Sequence, residues 1–169
     1  LPVDERFKAR LSRLIIMNTA LGLGTGAGDG FNAWKQYALT VPEFDAGQII
    51  ARGTPEMGEA EIAAYNAPYP DDSYQAGART FPALVPVEPD MDGVAVSQQA
   101  AAFWSSEWSG PSFMAIGGSD PVLGPPVMKI MHSLINGCPE PLLIEEAGHF
   151  VQEWGDIVAP AALKAFGDV

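Results

Sequence analysis

Three short apolar runs that never alternate with polar residues set the architecture open to this chain. They are Arg13-Leu14-Ile15-Ile16-Met17-Asn18-Thr19, Ser112-Phe113-Met114-Ala115-Ile116-Gly117-Gly118 and Leu142-Leu143-Ile144. A half-wet antiparallel strand alternates, whereas an unbroken run suits a parallel strand covered on both faces. Behind the second run, Val127, Met128, Ile130, Met131, Leu134 and Ile135 recur at three and four, the period of a helix face, and Asn136-Gly137 closes that helix. Behind the third, an amphipathic pattern runs from Gln152 to Phe166. The roughly 80 residues between the first two runs show neither alternation nor a repeat, only short helical pieces punctuated by Pro, Gly and Asp. These pieces are predicted near 44–50, at Glu59 to Tyr65, at Tyr74 to Arg79 ending near Phe81-Pro82, and from Ser97 to Trp108. Strand, helical insertion, strand, helix, strand, helix is the order of the back half of a parallel α/β sheet with a helical cap inserted into it.

A glycine-rich loop from Leu21 to Gly30 joins the first strand to the insertion. Gly22-Leu23-Gly24-Thr25-Gly26-Ala27 fits the G-x-G-x-x-A spacing of a dinucleotide loop. That fingerprint also needs a helix opening inside the glycines and an acidic strand end ~20 residues on. Here the next helix starts only at Asp29, which is placed to cap Phe31 to Gln36, and residues 44–50 look helical. The loop therefore reads as a flexible hinge rather than a nucleotide site.

Composition removes several function classes. The length of 169 residues suits one domain, and 47% apolar content marks a globular chain. A net charge of −12 repels phosphate backbones and anionic lipid, so neither nucleic acid nor membrane is an expected partner. Cys138 is the single cysteine, which rules out an internal disulfide and a cysteine-based metal site. With two histidines on different elements and no H-E-x-x-H or Walker loop, no metal and no cofactor is expected. No run approaches the ~18 apolar residues of a membrane span and no signal peptide opens the chain, so the expected location is cytoplasmic. The start at Leu1-Pro2, without an initiator Met, suggests a fragment.

Two strand ends carry the chemistry. Asp120 leaves the second run in Ser119-Asp120-Pro121, and His149 leaves the third in Glu146-Ala147-Gly148-His149. One strand–helix–strand crossover fits between them, so adjacent parallel strands would bring both side chains to the carboxyl edge, where open α/β sheets keep their ligands. A carboxylate beside an imidazole fixes its tautomer and stabilises its protonated form, which would make His149 a general base. Each residue also has a plainer reading, a capping histidine and a turn-opening aspartate. A hydrolase of this plan needs a nucleophile on a strand-to-helix elbow, and no G-x-S-x-G is present; Gly117-Gly118-Ser119-Asp120-Pro121 comes close but lies after the insertion.

At this point the chain resembles the carboxyl-terminal part of a haloalkane dehalogenase of the α/β-hydrolase superfamily, in the branch of the dichloroethane-hydrolysing enzyme. The resemblance rests on Arg13 to Asn18, on Gly30-Phe31-Asn32-Ala33-Trp34-Lys35, on Tyr74 to Arg79 with Phe81-Pro82, and on Phe113 to Gly117 with Asp120. It continues through Leu134 to Pro141 and Ala147-Gly148-His149-Phe150-Val151-Gln152-Glu153. It implies residues 1–20 as the end of the first half of the hydrolase core, 21–110 as the helical cap and 111–169 as the rest of the core. It implies hydrolysis of short haloalkanes to alcohol and halide through an alkyl-enzyme ester, with His149 as base and Asp120 as its partner. Trp34 matches the cap tryptophan whose indole N–H binds halide, its plainer role being a cap anchor. Phe31, Phe81, Pro82, Val85, Val122 and Leu123 match the apolar pocket wall. Asn18 stands where other branches place the triad acid, which leaves that duty to Asp120. The partners implied are a small halogenated alkane and halide ion, for an enzyme that is monomeric at full length. The family's nucleophilic Asp, in an Asp-Trp-Gly-Gly elbow, and its oxyanion hole lie outside these residues, so the fragment alone is expected to be inactive. The loop Ala20 to Gly28 is shorter than in the dichloroethane enzyme, which bears on substrate size. Two alternatives remain: another capped hydrolase, such as an epoxide hydrolase or an esterase, and a non-catalytic binding domain.

Overall fold

The computed structural model describes residues 4–169. In chain order it contains α1 (Glu5–Lys8), β1 (Leu14–Met17), α2 (Asp29–Thr40), α3 (Ala46–Ala51), α4 (Glu59–Asn66), α5 (Ala76–Leu84), α6 (Val94–Ala102), β2 (Ser112–Gly117), α7 (Pro125–Leu134), β3 (Leu142–Ile144) and α8 (Gly155–Phe166). Short 3₁₀ turns occupy Asp72–Gln75 and Val151–Trp154, and a π turn ends α6 at Phe103–Glu107. The strands form one parallel sheet in the order β1-β2-β3, with Leu14 opposite Ser112 and Ala115 opposite Leu142.

Strand β2 is buried along its whole length, and its alternating side chains feed two cores. Met114 and Ile116 join Ile16, Phe103, Trp108, Met128, Met131 and Ile135 under α7 and the π turn. Phe113 and Ala115 join Ile144, Ala147, Val151, Val158 and Ala162 under α8. Helices on both faces of a parallel sheet are what the unalternated run of β2 required.

The outer strands depart from that expectation. Ile15, opposite Phe113, is 48% exposed, and Leu143 is 46% exposed. Met17 at the end of β1 still packs against the core under α8, and Ile16 is buried in the core on the other face, but Ile15 is left largely open. Among the described residues β1 pairs on one side only. An apolar groove of ≈ 360 Å³ runs along it, lined by Leu14, Ile16, Trp104, Met131 and Ile135 among others.

Three local details also differ from the sequence reading. Helix α5 continues through Pro82 to Leu84 instead of ending near Phe81, and Arg79 on its flank donates to the Val41 and Pro42 carbonyls at the end of α2 (2.6 and 3.1 Å). The N-cap of α2 is Gly28, with Asp29 as the first helical residue. The glycine-rich loop is no free hinge: Gly24 N–H donates to Pro86 O (3.1 Å) and Gly26 N–H to Val87 O (2.7 Å). Gly24 sits at φ 74°, and a Cβ there would lie 2.9 Å from Pro89 Cα, so both backbone angle and space demand glycine.

Candidate active site

The exits of β2 and β3 lie against one another. A Cβ on Gly117 would sit 2.0 Å from Gly148 O, so only glycine lets the two backbones approach this closely. Gly118 N–H donates to Ile144 O and Ser119 N–H to Ala147 O, both at 2.9 Å, and Ser119 Oγ donates to Glu145 O (2.7 Å). These bonds stitch the two exits into one rigid edge bearing Asp120 and His149.

Asp120 is 6% exposed and its carboxylate accepts four hydrogen bonds. Oδ1 takes the backbone N–H groups of Val122 (2.8 Å) and Leu123 (3.1 Å), the turn that leads into α7. Oδ2 takes Nδ2 of Asn18 (2.8 Å) and Nδ1 of His149 (2.8 Å). Burial pushes the Asp120 carboxyl up, but the bonds from His149, Asn18, Val122 and Leu123 outweigh it and hold the group at about 2. It is therefore an anion at neutral pH, and a carboxylate can only accept. His149 must donate from Nδ1, which makes Nε2 the basic nitrogen. The imidazole is part-exposed while its partner's side chain is fully covered, so the proton-accepting end faces outward from a fixed base.

Asn18, the residue just beyond β1, is 5% exposed and uses both ends of its amide. Oδ1 accepts Gly117 N–H (2.8 Å), and Nδ2 donates to Gly117 O (3.2 Å) as well as to Asp120. Reversing the amide would set its oxygen against a carboxylate, so the orientation is determined by its surroundings.

The residues matched to the pocket and halide site lie on α2, α5 and the turn after Asp120. A Cβ on Gly30 would lie 3.1 Å from Val122 Cγ2 and 3.5 Å from Pro121 O, so the first turn of α2, the turn that carries Phe31, packs beside Pro121 and Val122. Pro82 is buried, Val85 half-buried, and Phe81 is 66% exposed. Trp34 is half-buried and stacks on Tyr37 (centroids 5.9 Å, 28°), with Phe44 at 6.3 Å. That packing is what an anchoring role requires. The structure brings Asp120 and His149 into contact; for Trp34 its recorded aromatic partners are Tyr37 and Phe44. Among the described residues no group of three His, Cys, Asp or Glu side chains could hold a metal.

One contact near the site was not foreseen. The Tyr65 hydroxyl on α4 donates to Glu153 Oε1, in the 3₁₀ turn just after His149. Glu153 was visible only as part of the stretch following the histidine, and nothing in the sequence links it to a tyrosine 88 positions away.

The chain is similar to known proteins over most of its length. No protein-family model matches the chain. A haloalkane dehalogenase of Psychrobacter cryohalolentis is 39% identical over 164 residues, covering 94% of this chain and 54% of that protein. One from Mycobacterium marinum is 35% identical over 147 residues, covering 85% of this chain and 48% of that protein. The haloalkane dehalogenase DpaA of Paraglaciecola agarilytica, a structure described as tetrameric, superimposes with a TM-score of 0.92 at 39% identity, over 97% of this chain and 55% of that one. The enzyme DbeA of Bradyrhizobium elkani, at 16% identity and a TM-score of 0.67, shares the fold. The chain spans about half the length of the curated relatives it matches.

Proposed function

We propose, for a chain homologous to haloalkane dehalogenases over 94% of its length, that it supplies the water-activating half of a hydrolytic dehalogenase, with residues 21–110 as the cap. The substrate is a short haloalkane. A carboxylate nucleophile from the part of the enzyme that this chain does not span attacks the sp³ carbon, the carbon–halogen bond breaks, and halide leaves with the bonding pair. Water then adds to the carbonyl carbon of the resulting ester while His149 Nε2 takes its proton. The alcohol departs with that proton, the carboxyl group releases water's second proton to solvent as the carboxylate is regenerated, and Asp120 stabilises the transient imidazolium. Trp34 offers an N–H donor to the departing halide, and Phe31, Pro82, Val85, Val122 and Leu123 form the dry wall against which an uncharged substrate lies, a wall that Phe81, 66% exposed in this chain, joins once the rest of the enzyme covers it.

The observation that carries this reading is the four-bonded Asp120 carboxylate holding His149 by Nδ1 at 2.8 Å. Commitment of the Tyr65 hydroxyl to Glu153 takes one of the chain's four tyrosines away from the epoxide-hydrolase alternative, which needs tyrosine hydroxyls free to protonate an oxygen.

The test is a fusion of this chain to the remainder of the Psychrobacter enzyme, supplied with chloro- and bromoalkanes. Steady-state halide release is expected from the fusion and lost in His149→Ala. Asp120→Asn, which leaves the imidazole without its anionic partner, lowers turnover by roughly 10³-fold or more. Undiminished steady-state release from His149→Ala would remove the histidine from the mechanism.

A further inference from the structure

The loop carrying His149 is gripped on its far side by the α3–α4 pair. These two helices form one stiff unit. A Cβ on Gly47 of α3 would lie 2.3 Å from Ile62 O of α4, so the backbones touch. Asn66 at the end of α4 accepts Gly47 N–H (2.9 Å) and donates to Asp45 Oδ1 (2.7 Å), the N-cap of α3. Two contacts connect this unit to the histidine loop. Directly after α3, the Gly53 carbonyl comes so close to Gly148 that a Cβ there would lie 2.3 Å from it. On α4, the Tyr65 hydroxyl donates to Glu153 Oε1. Phe150 and His149 lie edge to face with ring centroids 5.1 Å apart, and a Cβ on Gly53 would lie 3.7 Å from Phe150 Cδ2.

Gly148 and Glu153 flank His149 on either side, so the loop is pinned both before and after the imidazole. Asp120 fixes only the Nδ1 side of the ring, and a single hydrogen bond leaves rotation about it and displacement of the loop open. We propose that Tyr65 and Glu153 are positioning residues, whose hydrogen bond lets the α3–α4 pair set where Nε2 of His149 points. The bond holds its polarity at neutral pH. Acceptance by Glu153, and burial next, push the Tyr65 hydroxyl up, so it remains a donor.

The consequence for catalysis rests on His149 being the base, and it is selective for one step. Halide departure needs the nucleophile but not the histidine; ester hydrolysis needs the histidine. In the fusion protein, rapid-quench measurement of the first turnover separates the two. Tyr65→Phe and Glu153→Ala should leave the halide burst within about 2-fold and slow ester hydrolysis about 10-fold, the scale of a small misplacement of a catalytic group. Glu153→Gln, which keeps an acceptor oxygen, should restore most of the rate. Equal slowing of both steps, or no slowing in Tyr65→Phe, overturns the proposal.

A second readout is independent of dehalogenation. In the 169-residue chain itself, the ¹⁵N signals of the His149 ring report its tautomer and environment. They should shift or broaden in Tyr65→Phe and Glu153→Ala and recover in Glu153→Gln; unchanged signals overturn the proposal even if the unsubstituted fusion releases no halide.

Discussion

At the residue scale the site is a problem in keeping a buried charge ionised. Asp120 is covered, and an unpaired carboxylate there would be neutral. Its four hydrogen bonds reverse that. The group titrates at about 2 in the folded chain against an ordinary 3.8. A carboxyl depressed in this way contributes stability that is complete above about pH 4 and is lost as pH falls through about 2. The expected size is about 2 kcal/mol, from the difference between the two values. Urea unfolding between pH 2 and 6 should show this decline, and Asp120→Asn should flatten it. Asn18→Leu removes the donor to Asp120 and the acceptor of Gly117 N–H, so the decline should still begin near pH 4 but be smaller and end at higher pH, with stability at neutral pH lower by roughly 1–3 kcal/mol. An unmoved acid limb would mean that Asn18 does not reach the carboxylate. The pairing of Asp120 with His149 was legible in the sequence because 29 residues is one crossover between adjacent parallel strands. The partnership of Tyr65 with Glu153 was not, since each sits among ordinary polar helix residues and only the folded insert brings them together.

At the scale of elements, glycine decides how closely loops can stack. Gly117 and Gly148 stand at strand exits where backbone meets backbone, and Gly47 does the same between α3 and α4. Gly117→Ala places a methyl group 2.0 Å from Gly148 O, and a carbonyl held by the chain on both sides cannot swing aside as a side chain would. The exits must separate, and the change is expected to cost at least about 2 kcal/mol. It should also lengthen the Asp120–His149 bond, so loss of the His149 ring ¹⁵N signature should accompany the fall in melting temperature. A melting temperature within a degree or two of the parent would count against so tight a contact. The apolar runs marked where the strands are, but the two covered faces they led us to expect are found only at β2. Ile15 and Leu143 read as interior residues because an unbroken run looks the same in a central strand and in an edge strand with one bare face. Pro82 misled in the other direction: its ring forgoes one helix bond, and the packing of α5 against α2 tolerates the loss.

At the scale of the molecule, a parallel sheet with helices on both faces follows from the order of the apolar runs alone, and the helical insert follows from the long stretch without alternation. The sequence could not say how the insert reaches back, because that depends on contacts between segments tens of residues apart. The distances along the chain also fix an order of events. The bond joining β2 to β3 through Asp120 and His149 closes 29 residues, whereas Asn18 meets Asp120 across 102. Closing the longer loop costs about 1 kcal/mol more in chain entropy, before any reward from packing. Pulsed hydrogen exchange during refolding should therefore protect Phe113 to Gly117 against β3 before it protects the amides of β1; protection of β1 first would refute this order. Of the three described strands β1 is made first, and it must wait through the whole helical insert for β2. Its pairing with β2 is thus a late step, set by the length of the insert between them.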